Sequence, residues 1–120
     1  MYRFSNRSLE NLKGIDTRLI ILAGLMLGHS KYDFVITEGL RTVERQKFLF
    51  NNGKSKTMNS KHIIGKAFDI VILVNGKVTW EKEHYKDFVD NFKKLSSELK
   101  FNTTCGYDWG WDAFHFQIND

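Results

Sequence analysis

The chain has 120 residues, of which 42% are hydrophobic, 14% aromatic and 27% charged, a balance that suits one compact domain and excludes intrinsic disorder. The formal charge of +4 favours polyanions such as nucleic acid, anionic membranes or cell-wall polymers without choosing among them. The single cysteine, Cys105, rules out an internal disulfide framework and a thiolate zinc cluster, so any metal site must use histidine and carboxylates. The most apolar run, 19–27, falls short of the roughly 18–20 residues that span a bilayer. No A-x-A-like cleavage site follows it, so neither an integral membrane segment nor a cleaved signal is expected.

In chain order, Asp16 is expected to cap a helix that is apolar on most sides and stops at Gly28-His29. Asp33–Glu38 reads as a short strand with Phe34 and Ile36 on one face, and Thr42 caps a second helix that ends at Asn51-Asn52-Gly53. A polar loop over 54–66 leads into a strand from Ala67 to Val74, and Asn75-Gly76 turns a hairpin into Lys77–Trp80. The helical spacing of Tyr85, Phe88, Val89, Phe92, Leu95 and Leu99 predicts an amphipathic helix over 83–100. The alternation from Ala113 to Ile118 predicts a last, half-buried strand with Phe114, Phe116 and Ile118 on one face and His115 on the other. No proline, linker or repeat divides the chain, so residues 1–120 are expected to form a single domain without a separate cell-wall-binding module.

Of the four histidines, His29 follows a helix end and His84 sits among charged residues at a solvated helix start. His62 and His115 stand in more informative surroundings. Asp69 lies between Phe68 and Ile70 in an apolar strand, where a carboxylate is costly unless it is paired, hydrogen-bonded or bound to metal. Gly65 lets the chain turn so that His62 can approach Asp69. His62, Asp69 and His115 would then make a three-ligand zinc site with a fourth position for water, and Asp112 is the nearby acid/base. The alternative is a loop hydrogen-bonding His62 and a capping or salt-bridged Asp69.

Ser60-x-His62-x-x-Gly65-x-Ala67-x-Asp69, with the later run Trp109-Gly110-Trp111-Asp112-Ala113-Phe114-His115, resembles the zinc peptidases that include D-alanyl-D-alanine carboxypeptidases and the L-alanyl-D-glutamate endopeptidases of phage lysis. Gly39-Leu40-Arg41-Thr42 and Gln46 extend the likeness, which runs from about Gly14 to Ile118. The resemblance implies a small α+β domain of the D-Ala-D-Ala peptidase and hedgehog type, with helices packed on one antiparallel sheet and zinc in a cleft at the sheet's edge. It implies His62, Asp69 and His115 as zinc ligands, Asp112 as catalytic acid/base, and Ser60 as a hydrogen-bonding neighbour of the site. It also implies Arg41 as the cation that holds a substrate carboxylate or polarised carbonyl, where the plainer role is a salt bridge to Glu38 or Glu44.

Two departures stand out: only Gly110-Trp111 separates Trp109 from Asp112, and Phe114 replaces the usual proline before the last ligand. Tyr107, Trp109 and Trp111 either line the cleft or pack in the core. The reading that results is a monomeric, zinc-dependent phage endolysin cutting the L-alanyl-D-glutamate bond of peptidoglycan stem peptides. It would be made in the host cytoplasm, act in the periplasm during host cell lysis with a separate holin-type pore-forming partner, and bind no specific nucleic acid. The alternatives are a D-Ala-D-Ala carboxypeptidase or dipeptidase of the same fold, and a non-catalytic, zinc-stabilised module binding cell wall or nucleic acid.

Overall fold

Phe34 and Ile36, Phe68, Ile70 and Ile72, and Phe116 and Ile118 occupy alternate positions of three strands, so each set points to one face of a sheet. All seven are at most 1% exposed. The structure is a computed structural model describing residues 2–120; the expected domain start at Met1 lies outside the described residues. Helices α1 (Asn6–Asn11) and α2 (Thr17–His29) precede strand β1 (Asp33–Glu38) and helix α3 (Val43–Asn51). Strands β2 (Ala67–Val74) and β3 (Lys77–Thr79), helix α4 (Lys82–Glu98), and strands β4 (Thr103–Cys105) and β5 (His115–Ile118) follow. The sheet is antiparallel, with the order β1-β2-β5-β4 and β3 hairpinned onto β2. This is the expected α+β architecture of helices on one antiparallel sheet.

Helices α2 and α4 bury their apolar residues in one core with the inner face of the sheet. Phe116 is at its centre, with ring centroids 5.9 Å from Phe68, 5.3 Å from Phe88 and 4.8 Å from Phe92, within the range of favourable aromatic pairs. The expected caps form: Asp16 accepts the Arg18 N–H and Thr42 accepts the Arg45 N–H. Helix α2 is less apolar in its surroundings than expected, since Ile20 and Ile21 are exposed while Leu19, Leu22, Ala23 and Met26 are buried. Leu99 caps α4 and is exposed rather than completing the stripe.

Two elements were not legible from periodicity. Helix α1 spans six residues, too few to display an apolar stripe. It is held by side-chain bonds, with the buried Ser8 hydroxyl accepting the Ile36 N–H and the Asn11 amide donating to the Ile36 carbonyl. Strand β4 is three residues long and exists through its pairing with β5. Strand β5 itself starts at His115, two residues later than expected.

The turn that carries His62 depends on Gly65, which has φ 71° and ends a 3-10 turn over Lys61–Ile64. A Cβ at this position would stand 2.4 Å from the Gly14 carbonyl oxygen. The Gly65 carbonyl also accepts the Asp16 N–H at 2.8 Å, tying the turn to the start of α2. Gly65→Ala should therefore cost the left-handed penalty of about 1–2 kcal/mol plus the backbone clash. Urea denaturation should show a lower midpoint for this variant than for Gly53→Ala, where φ is also positive but the space is open.

Candidate active site

Residue register builds the centre of the site. Asp69 on β2 stands opposite His115 on β5, on the face of the sheet away from Phe68 and Ile70. Two of the three expected ligands, Asp69 and His115, therefore lie on the two inner strands rather than at the sheet's edge. On the other side of β2 the register of β1 shifts between Ile36 and Glu38, so that Ile36 pairs with Ile70 but Glu38 pairs with Asp69. This bulge brings Glu38 alongside Asp69 instead of sending it after Ile36 into the core.

His62 arrives from the 3-10 turn. Its backbone N–H donates to the Ser60 hydroxyl at 3.2 Å, and its carbonyl accepts the Arg41 N–H at 2.9 Å. Its Nδ1 lies 2.9 Å from the Gly39 carbonyl oxygen and its Nε2 3.2 Å from Asp69 Oδ1. His115 repeats the pattern with its nitrogens exchanged: Nε2 is 2.9 Å from Gln117 Oε1, and Nδ1 is 3.3 Å from the same Asp69 Oδ1. Suitable ligand atoms of His62, Asp69 and His115 lie within 4.8 Å of one another.

This donor set fits a metal ion. Gly39 offers His62 only a carbonyl acceptor, so Nδ1 carries the ring proton of the neutral tautomer and Nε2 turns a lone pair towards a carboxylate. The Gln117 amide donates to Asn119 at 3.0 Å, which leaves its oxygen for His115 and aims the Nδ1 lone pair of that ring at Asp69 too. Two lone pairs facing one anion require a positive species between them, either a proton or a metal ion. Outer N–H groups anchored to protein acceptors are the usual support of metal-ligating histidines.

The electrostatics agree. Burial alone would raise the Asp69 carboxyl, but the hydrogen bonds with His115 and His62 outweigh it and hold Asp69 well below the usual carboxylate range. Burial would lower His115, and the bond to Asp69 overrides it, raising its pKa. Asp112 is raised, by burial first and then by the negative charge of Asp69.

These groups line an open cleft of about 980 Å³ that also contains Arg41, Ser60 and Asp112. The cleft thus gathers the six residues for which a site role was expected: Arg41, Ser60, His62, Asp69, Asp112 and His115. Arg41 takes the plainer of the two roles considered for it, while lining the cleft. Its Nε and Nη2 donate to both oxygens of Glu38, its Nη1 donates to Gln46, and its Nη2 lies 3.8 Å from Asp69 Oδ2. The salt bridge to Glu38 therefore forms, and two of the five guanidinium N–H groups are left over.

Gln46 is fully buried and passes the connection on, donating to the Ser55 hydroxyl and the Thr57 carbonyl of the long loop. Trp109 and Trp111 line the cleft, whereas Tyr107 packs against the core. His29 is exposed at the end of α2. His84 is half-buried rather than solvated, with Nδ1 2.8 Å from the Thr79 hydroxyl and its ring 4.7 Å from Tyr32. With Glu81 and Glu83 it forms a second possible ligand group at the exposed start of α4, outside the cleft. Sequence reasoning missed Gln117 as the partner of His115, and named Glu38 only as a possible salt-bridge partner of Arg41. Gln117 shares a strand face with His115 at the two-residue period, a signal that was available; Glu38 reaches the site only through the bulge.

A divalent ion must displace the proton shared by this cluster, and the raised His115 pKa keeps that competition active above the ordinary histidine value of about 6.5. Metal affinity should rise with pH through this range, by about tenfold per unit while His115 is protonated. At a metal concentration of a thousand times the dissociation constant, the fold should gain about 4 kcal/mol. Competition with a chromophoric chelator and thermal melts check both; pH-independent affinity between about 5.5 and 7.5 would contradict the assignment.

The chain's relatives are named for a peptidase activity. A family model described as phage L-alanyl-D-glutamate peptidase matches residues 1–117. An L-alanyl-D-glutamate peptidase of Escherichia phage T5 is 32% identical over 90% of this chain and 82% of that protein. A protein of the same name from Listeria phage A118 is 31% identical over 97% of this chain, which spans 42% of its length. Among solved structures, the Serratia marcescens L-Ala D-Glu endopeptidase ChiX superposes with a TM-score of 0.89 at 33% identity, covering 98% of this chain and 90% of that one. The chain belongs to the phage L-alanyl-D-glutamate peptidase family.

Proposed function

We propose that this cleft hydrolyses the L-alanyl-D-glutamate bond of peptidoglycan stem peptides, with Zn2+ held by His62, Asp69 and His115 and with Asp112 as acid/base. The observation that carries the reading is the convergence of two anchored imidazoles on one oxygen of Asp69, in the same cleft as a second carboxyl. Zn2+ at such a site supplies Lewis acidity and a bound water with its pKa lowered to about 7. The rest falls to the chain's own residues.

Asp112 stands on the cleft wall with its proton affinity raised towards the range useful at neutral pH. It accepts a proton from the water that adds to the alanyl carbonyl carbon. It then returns that proton to the amide nitrogen as the C–N bond breaks, so the D-Glu segment leaves as a neutral amine. Arg41, fixed by Glu38 and Gln46, presents its two remaining N–H groups for the carbonyl oxygen or a substrate carboxylate. Ser60 holds the His62 backbone and faces the cleft. Lys54, Lys56 and Lys61 line the cleft, and their charge complements the free carboxylates beyond the scissile bond.

The biological role that follows is that of a monomeric, single-domain endolysin made in the host cytoplasm and acting on peptidoglycan in the periplasm. No helix among the described residues is long and apolar enough to cross a membrane. Passage through a separate holin-type pore is therefore part of the proposal.

Purified sacculi digested with the zinc-loaded protein should release peptides that begin at D-Glu, read by mass spectrometry. Release of D-Ala alone would instead indicate a carboxypeptidase. Asp112→Asn should bind metal as the wild type does and cut about 10²–10⁴ times more slowly; an undiminished rate would remove Asp112 from the mechanism.

A further inference from the structure

Resting on the endopeptidase reading above, we propose that Trp111, stacked on Trp109, is a platform for the amino-sugar ring to which the L-alanyl residue of the substrate is attached. Both tryptophans line the catalytic cleft, yet Trp109 is 40% and Trp111 59% exposed. Indoles left this open at a cleft mouth contribute little to the core and offer a large apolar face to a ligand.

The two rings adjoin the proposed metal site. The Trp109 ring lies 5.1 Å from the His115 ring, tilted by 33°, and the Trp111 ring lies 5.4 Å from that of Trp109, stacked at 28°. The substrate has a matching layout. On the amino side of the scissile bond lie one alanyl residue and a lactyl ether, which together place the pyranose about 7 Å from the reacting carbonyl, using a residue length of about 3.6 Å. That reach takes the sugar past Trp109 and onto Trp111.

The face of Trp111 already shows the attraction required. Lys56 crosses from the loop on the facing wall, with Nζ 4.7 Å from the ring centroid. The negative face of an aromatic ring that draws an ammonium also draws the polarised C–H groups of a pyranose. An exposed contact of this kind is weak, and the lysine stem is flexible. The sugar can therefore take the ammonium's place, leaving Lys56 free to donate to a sugar hydroxyl or acetamido oxygen.

The test compares kcat/KM on two substrates that share the scissile amide: a disaccharide-peptide and an N-lactoyl peptide of the same sequence without sugar. Taking the ratio of the two cancels any loss of folded protein. Wild type should prefer the disaccharide-peptide. Trp111→Ala should lower that ratio about tenfold, chiefly through KM, and Trp111→Phe should restore most of it. Cleavage of both substrates by wild type without preference, or a ratio that Trp111→Ala leaves unchanged, would overturn the sugar platform and leave the endopeptidase reading standing. If wild type cleaved neither, that reading would fall and the platform with it.

Discussion

The site depends on one carboxylate oxygen. Asp69 Oδ1 lies within 3.3 Å of a nitrogen from each of two imidazoles whose other nitrogens are already committed to acceptors. Leaving a half-buried carboxylate without partners is costly, so a proton or a cation among the three groups stabilises the arrangement. The core keeps them together. Asp69 faces His115 because Phe68 faces Phe116 in the same register. A slip of one residue would turn every buried phenylalanine and isoleucine of the strand to the wrong side of the sheet. Hydrophobic packing on one face thus fixes the Asp69–His115 geometry on the other.

His62 lacks that protection, because it comes from a turn rather than a strand. Its position is set by short-range bonds: Ser60 and Arg41 hold its backbone, Gly39 holds its ring, and Gly65 closes the turn against the chain before α2. Arg41 matters here irrespective of substrate. Its guanidinium joins Glu38 from the β1 bulge to Gln46 on α3, and Gln46 joins the loop over 54–59. A buried polar network in which every member is satisfied rigidifies its surroundings, and no buried side-chain polar atom among the described residues lacks a partner.

The legible parts of the sequence are those with a period or a local chemical reason. The strands around Phe34, Ile70 and Phe116, the helix over Tyr85–Leu95 and the caps at Asp16 and Thr42 each announce themselves within a few residues. His62, Asp69, His115 and Asp112 could be grouped because an isolated carboxylate inside an apolar strand demands partners. Family resemblance then supplied Arg41 and Ser60, for which spacing offered no reason. What stayed hidden was created by tertiary contact. Helix α1 is too short for a stripe, β4 is defined by its neighbour, and Glu38 joins the site only because one extra residue in β1 changes its face. The choice between core and cleft for the aromatic residues also needed the fold, which sends Tyr107 one way and the two tryptophans the other.

The segment from Gly106 to His115 brings Trp109, Trp111, Asp112 and His115 to one cleft. A Cβ at Gly106 would lie 2.2 Å from the Asp112 carbonyl oxygen and 3.0 Å from the His115 Cβ, so the loop closes tightly on itself at its base. The His115 N–H points back to the same Asp112 carbonyl at 3.4 Å. Between these closing points the chain holds only a 3-10 turn over Gly106–Trp109 and two further residues before Asp112. The shortness noted in the sequence therefore has a mechanical meaning, since Trp109, Trp111, Asp112 and His115 cannot move independently. Asp112 and His115 are thus placed by the same short loop that carries the two indoles, whereas Lys54 and Lys56 reach the cleft from a separate loop that Gln46 holds through Ser55 and Thr57.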